Sequence, residues 1–166
     1  MKEQLLEILP ALRRFTYSLT NSAHDADDLL QSTVERLLSR GVPADANLNK
    51  WAFTVCRNLW IDEYRAMRTR QAAQWDPTMM EGMQVDGGKQ IQQAIELDEI
   101  SRAMRSLSEE QHLVLSMVAV QGLSYKDVAE ELGIPQGTVM SRLARARTTL
   151  ADLLHAGKGQ IIGEPQ

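Results

Sequence analysis

Between Gly133 and Arg147 the sequence reads GIPQGTVMSRLARAR, a turn signal followed by Arg142, Arg145 and Arg147 with no acid among them. The next acid is Asp152. Guanidinium groups gathered on one helix suit phosphate oxygens and the acceptor edge of guanine. The plain alternative is that these arginines only solubilise a helix surface. Other chemistry has little to stand on. His24, His112 and His155 are scattered, Cys56 is the one cysteine, and no nucleophile set, phosphate-cradling glycine loop or metal-ligand spacing occurs. No catalytic residue, metal or cofactor is expected.

The arginines need a scaffold, and the flanking sequence supplies one. Ser124 caps a short helix, YKDVAEEL, which Gly133 ends. After Ile134 and Pro135 a second helix runs from about Gln136 to Leu154. Two short helices joined by a glycine-containing turn form a helix-turn-helix. Val128, Ala129 and Leu132 on the first can meet Val139 and Leu143 on the second. Gln136, Thr138, Met140, Ser141, Arg142, Ala144, Arg145 and Arg147 then lie at or near the surface of the second, a helix suited to a DNA major groove. Upstream, Leu97, Ile100, Met104 and Leu107 space a helix, and Ser108 with Gln111 forms a capping box that opens another, running to Val120 before Gly122.

The first block, Leu5 to about Arg70, is helical too. Asn21 or Ser22 caps a helix with acids in its first turns. Ala26, Leu29, Leu30, Val34, Leu37 and Leu38 draw its apolar stripe, while Asp25, Asp28, Gln31, Ser32 and Glu35 fall largely off it. Gly41 and Pro43 stop it and start the loop RGVPADANLN. A further helix spans about Leu48 to Arg70 and ends basic, in YRAMRTR. The stretch QWDPTMMEGMQVDGGKQ has no period and reads as a linker. The expected fold is all-α: two small helical domains, 1–72 and 91–156, joined by a flexible linker at 73–90 and followed by a tail at 157–166. The helix-turn-helix lies in the second domain.

Charge is distributed unevenly within a formal net of -4. Residues 1–75 hold ten Lys/Arg against nine Asp/Glu, 76–105 three against six, and 106–166 five against seven. Three arginines amid such acids make a weak DNA-binding module, because each neutralised phosphate adds about 0.9 to the salt slope. Another body must hold the chain on DNA. No apolar run is long enough to span a membrane, and no signal peptide is evident. Cys56 reads as a small buried thiol, and a reducing, cytoplasmic setting is the default.

Three segments together resemble the extracytoplasmic-function (ECF) group of bacterial sigma factors. DADDLLQSTVERLL is similar to the family's second region and LNKWAFTVCRNLWIDEYR to the helix that follows it. LSEEQHLVLSMVAVQGLSYKDVAEELGIPQGTVMSRLARARTTL is similar to the fourth region. The resemblance implies a non-catalytic initiation factor that binds core RNA polymerase, directs it to promoter DNA, and is controlled by an anti-sigma factor. It implies that Asp25, Asp28, Gln31 and Glu35 meet the polymerase clamp helices, an acidic face against a basic partner. It places the minus-ten element at Asp45, Asn47, Leu48 and Asn58, which would wall a pocket for an extruded base. Arg57, Arg65, Arg68 and Arg70 would track the strand. Trp51 and Trp60 either stack on bases or belong to the core. The minus-thirty-five element falls to Gln136, Thr138, Met140, Ser141, Arg142, Ala144 and Arg145. Many relatives carry arginine where this chain has Met140, and methionine touches a thymine methyl but makes no bidentate contact to guanine. The linker would thread towards the RNA exit path. The alternatives are a sigma-like decoy that sequesters an anti-sigma factor and, further off, a helix-turn-helix repressor.

Overall fold

The computed structural model describes residues 2–73 and 92–162, with side chains over 2–72 and 99–155. The described residues form seven helices and no strand. The linker at 73–90 lies outside them except for Ala73, as do residues 163–166 of the tail.

The N-terminal half is α1 (Lys2–Thr20), α2 (Ala23–Arg40) and α3 (Leu48–Ala73). Its sharpest bend is the α1–α2 corner. Asn21 takes a left-handed φ of 53°, which asparagine tolerates better than most residues, and its N–H closes α1 on the Tyr17 carbonyl at 2.7 Å. Ser22 then caps α2 by accepting from the Asp25 N–H. Leu5, Leu12, Phe15 and Leu19 of α1 meet Leu29 and Leu37 of α2 and Ala52, Phe53, Cys56 and Trp60 of α3 in the core. Phe15 meets Phe53 edge to face, centroids 5.2 Å apart. Trp60 is thus a core residue, while Trp51 keeps a partly exposed indole.

The C-terminal half is α4 (Gln92–Arg105), α5 (Glu109–Ala119), α6 (Tyr125–Leu132) and α7 (Gln136–Ile162). The Ser108–Gln111 capping box closes reciprocally at the start of α5. Ser124 caps α6, and Gly133 ends it at φ 68°, ψ 35°, where a side chain would be strained. The Ile134 N–H reaches back to the Ala129 carbonyl at 3.1 Å, a Schellman-type end that aims the chain into α7. α7 runs past the expected end near Leu154 to Ile162, through residues that include Gly157 and Gly159 but no proline.

The two halves also pack on each other. Their buried apolar residues form one connected cluster, in which Leu113, Val114 and Met117 of α5 join the α1–α3 core. The His112 ring stands edge-on to Trp60 at 5.5 Å, and its Nε2 lies 2.6 Å from the Ser18 carbonyl oxygen. Arg105 donates to the Asn21 carbonyl at 3.1 Å.

Candidate nucleic-acid interface

α7 is organised by one period. Val139, Leu143 and Ala146, at i, i+4 and i+7, are fully or almost fully buried. Val139 and Leu143 share the core with Val128 of α6, while Ala129 and Leu132 pack at its edge. The opposite face consequently points outward. Gln136, Met140, Ser141, Ala144 and Arg145 are exposed, while Thr138 and Arg142 are half-buried. Met140, at 50% exposure, is a large apolar side chain held in solvent. Gly137, Thr138, Ser141, Arg142 and Arg145 line a shallow groove against Ser108, Glu110 and Gln111 of α5. Within it Arg142 approaches Glu110 at 3.9 Å.

On α2 the four candidate partner-binding residues, Asp25, Asp28, Gln31 and Glu35, are all exposed. At about 100° per residue they span roughly 120° of the helix surface. Negative charge is dense here. Asp28 pairs with His24 at 3.5 Å, and the carboxyl of Glu63 on α3 is raised above its usual range by burial first, then by Asp25 and Asp28.

The minus-ten set is divided. Asn47 and Leu48 line an open concavity with Gln4, Glu7, Ile8 and residues 42–44, 46 and 49. Asp45 stands exposed beside it and is not part of its wall. Asn47 has a structural task that was not anticipated, because its Oδ1 accepts from the Lys50 N–H at 3.1 Å and caps α3. Asn58 is exposed on α3, about 15 Å along the axis from Leu48 at 1.5 Å per residue, so it does not share that concavity. A single pocket walled by both the loop and Asn58 is therefore not formed here.

The arginines of α3 depart furthest from expectation. Arg57 and Arg65 do not stand free as strand-tracking residues would. Arg57, with 9% of its side chain exposed, lies 3.1 Å from Glu131 of α6. The other oxygen of Glu131 takes Lys50 at 3.4 Å, and Thr54 donates to the first at 3.4 Å. Arg65 grips both oxygens of Glu109 on α5, at 3.2 and 3.1 Å, and its guanidinium is held further in the charged form by that hydrogen bond and charge. Arg68 stays exposed and lies over the Tyr64 ring at 5.8 Å. Sequence reading missed Glu109, Glu131, Lys50 and Thr54. The acidic side of that seam was visible only as an excess of carboxylates after residue 105.

Comparison with known proteins decides what this arrangement belongs to. Residues 5–70 match sigma-70 region 2, and residues 97–150 match sigma-70 region 4. The ECF RNA polymerase sigma factor EcfG of Rhodopseudomonas palustris is 33% identical over 165 residues, covering 98% of this chain and 90% of that one. This chain belongs to the ECF sigma factors. The ECF sigma factor SigM of Mycobacterium tuberculosis is 33% identical over 148 residues, 86% of this chain and 71% of its own. Among solved structures, the sigma factor RpoE of Bartonella quintana, in complex with the anti-sigma factor NepR, superposes with a TM-score of 0.65 at 30% identity, covering 92% and 95% of the two chains. CnrH, in complex with the cytosolic domain of CnrY, shares the fold at a TM-score of 0.64 and 22% identity. An ECF sigma factor is a transcription initiation factor that directs RNA polymerase to promoters. Among the described residues, no helix is long and apolar enough to cross a membrane.

Proposed function

We propose that this sigma factor docks on core polymerase through the α2 face of Asp25, Asp28, Gln31 and Glu35, and reads the upstream promoter element with α7. The observation that carries the reading is the two-sidedness of α7. Val139, Leu143 and Ala146 anchor it, so Met140, Ser141, Ala144 and Arg145 face outward from a fixed support. Arg145 supplies a guanine or phosphate contact, and Met140 an apolar contact to a thymine methyl, which sets the sequence preference. The concavity beside Asn47 and Leu48 receives an extruded base of the minus-ten element, with Asn58 and Arg68 further along the strand. The chain positions and recognises, and catalysis stays with the polymerase. The setting is the cytoplasm, where core enzyme and promoters are.

Control by an anti-sigma factor follows from two supports: the 30% identity to a sigma factor solved with its anti-sigma factor, and an α2 face that one partner can cover in place of polymerase. Run-off transcription with core enzyme across genomic promoter fragments tests the proposal. A discrete set of promoters is expected to fire. Arg145→Ala should weaken upstream recognition, and Asn58→Ala should slow opening while leaving polymerase binding intact. Tight capture of an anti-sigma factor with silent transcription would instead mark a decoy.

A further inference from the structure

The outward face of α7 divides into two tracks. Met140 and Ala144 form one, Ser141 and Arg145 the other, and the two lie about 100° apart around the helix. The polar track borders the groove against Ser108, Glu110 and Gln111 of α5, while exposed Met140 and Ala144 stand outside it. Val139 and Leu143, buried one residue earlier in each turn, hold the apolar track in place. Met140 keeps 50% of its surface in water, where an apolar side chain gains nothing. The surroundings say what would cover it. Arg145 and Arg147 are exposed nearby, and no acid occurs between Gly133 and Asp152, so the complementary occupant is a polyanion.

On a duplex the apolar track can meet only one kind of feature. Base edges in the major groove present acceptors and donors, and the C5 methyl of thymine is the apolar group among them. Methionine has a weak sulfur acceptor and no donor, and the alanine side chain has neither. Set against a bare amine or carbonyl, the track would strip water from that group and return no hydrogen bond. Set against a methyl, it buries apolar surface on both sides. The unbranched Met140 adapts to what it meets, and the short Ala144 lets the helix approach. At 1.5 Å per residue the two lie about 6 Å apart along the axis, over neighbouring base pairs.

We propose that Met140, supported by Ala144, reads the C5 methyl itself rather than thymine as a whole, so that cytosine methylation of an upstream element strengthens the promoter. The proposal rests on the reading of α7 as the reader of that element, and adds a means of control to it. 5-Methylcytosine carries the same methyl on the same ring carbon, directed into the same groove. It differs from thymine at the neighbouring ring position, where the track makes no hydrogen bond. Where an upstream element has cytosine at this place, methylation creates the contact that the unmodified promoter lacks.

The test takes a promoter that fires in the run-off experiment and builds it as synthetic duplexes. In one series each upstream thymine in turn is replaced by uracil, which removes the methyl and keeps every hydrogen-bonding group. In the other, cytosine and then 5-methylcytosine take its place, paired with guanine. Core enzyme with the parent chain, or with its Met140→Ala or Arg145→Ala variant, is titrated onto each duplex and read by footprinting. The parent should lose about fourfold in affinity on uracil at one pair or two neighbouring pairs, the worth of one buried methyl, and 5-methylcytosine should exceed cytosine there by a similar factor. Met140 is exposed, so Met140→Ala should fold normally, and both ratios should fall to unity. Arg145→Ala should weaken binding to every duplex and leave both ratios unchanged. Parent ratios of unity, with Arg145→Ala still weakened, overturn methyl reading and leave α7 as the reader. If uracil and Arg145→Ala are both without effect, α7 is not the reader and both readings fall. Ratios that survive Met140→Ala assign the methyl effect to the shape of the DNA and overturn the role of Met140. A Met140→Ala chain that binds core enzyme less well before DNA is added puts the polymerase on this track, and an upstream element without any A·T pair leaves no methyl to read. Either result overturns the proposal.

Discussion

On α7, Arg145 and its neighbours face solvent from a helix anchored on its other side. On α3, Arg57 lies under a carboxylate from another helix and Arg65 is gripped by a second. Both helices carry arginines at helical spacing, and both fall in segments matched to sigma-70 regions. The difference is in what surrounds them. The α7 arginines lie off its buried period, where Arg145 and Arg147 stay exposed and Arg142, half-buried, comes only within 3.9 Å of Glu110. The α3 stripe flanks the core at the side where the C-terminal half docks. A cationic helix is therefore not a free DNA surface by composition alone, and the acids opposite it decide its state.

The largest effect should come from removing the support of α7. Leu143→Ala empties a fully packed site and should cost about 2–5 kcal/mol, seen as a lower urea midpoint together with lost upstream recognition. If stability fell while promoter selection persisted, α7 would not be the reader. Next, Glu131→Ala leaves Arg57 nearly buried without its carboxylate, at about 1–3 kcal/mol, in a denaturation that should also lose cooperativity between the halves. A change confined to the α6–α7 unit would mean the seam is weaker than its geometry implies. Arg145→Ala should leave the midpoint within about 0.5 kcal/mol, since the side chain is exposed, yet weaken upstream recognition by about 1–3 kcal/mol in footprinting with core enzyme.

Acid should loosen the seam more than the α7 support. Burial holds the His112 imidazole below its ordinary value of 6.5, with the Ser18 carbonyl opposing in part. The unfolded chain therefore binds the extra proton more readily, and stability rises with pH through this range. The contribution of neutral His112 is complete above the unfolded value and is lost as pH falls below it. Comparing urea midpoints at about pH 7.5 and about pH 5.5 checks this, and His112→Gln should flatten the difference. The smallest effect concerns Cys56, whose thiol burial pushes up to about 12. The folded chain should resist iodoacetamide at neutral pH and react once unfolded.

Much of the fold was legible because its signals are local. Ser108 with Gln111, Ser124 and Gly133 each set a helix end through groups within a few residues, and the α2 and α7 stripes follow from period alone, save that Leu38, expected on the α2 stripe, stands 50% exposed. The α7 face was legible for the same reason, since burying Val139 and Leu143 dictates what is left outside. Asn47 was read only in part, because an asparagine just before a helix can serve as cap and as pocket wall at once: it lines the concavity, and the cap shows only in its hydrogen bond to the Lys50 N–H. The cover over α3 had no local signal. Glu131 and Arg57 are separated by 74 residues, and neither has a spacing that names the other. Glu109 opens a helix where acids are ordinary, favouring the dipole, so its reach to Arg65 was hidden behind a sufficient local reason.

The direct measurement is the distance between the halves, by single-pair energy transfer between dyes on exposed Ser39 and Leu153 replaced by cysteine, with buried Cys56 left unlabelled. The free chain should give one high-transfer population, and core polymerase should convert it to a low-transfer one in step with promoter binding. A free chain already at low transfer, or a bound chain still at high transfer while it opens a promoter, would contradict the account.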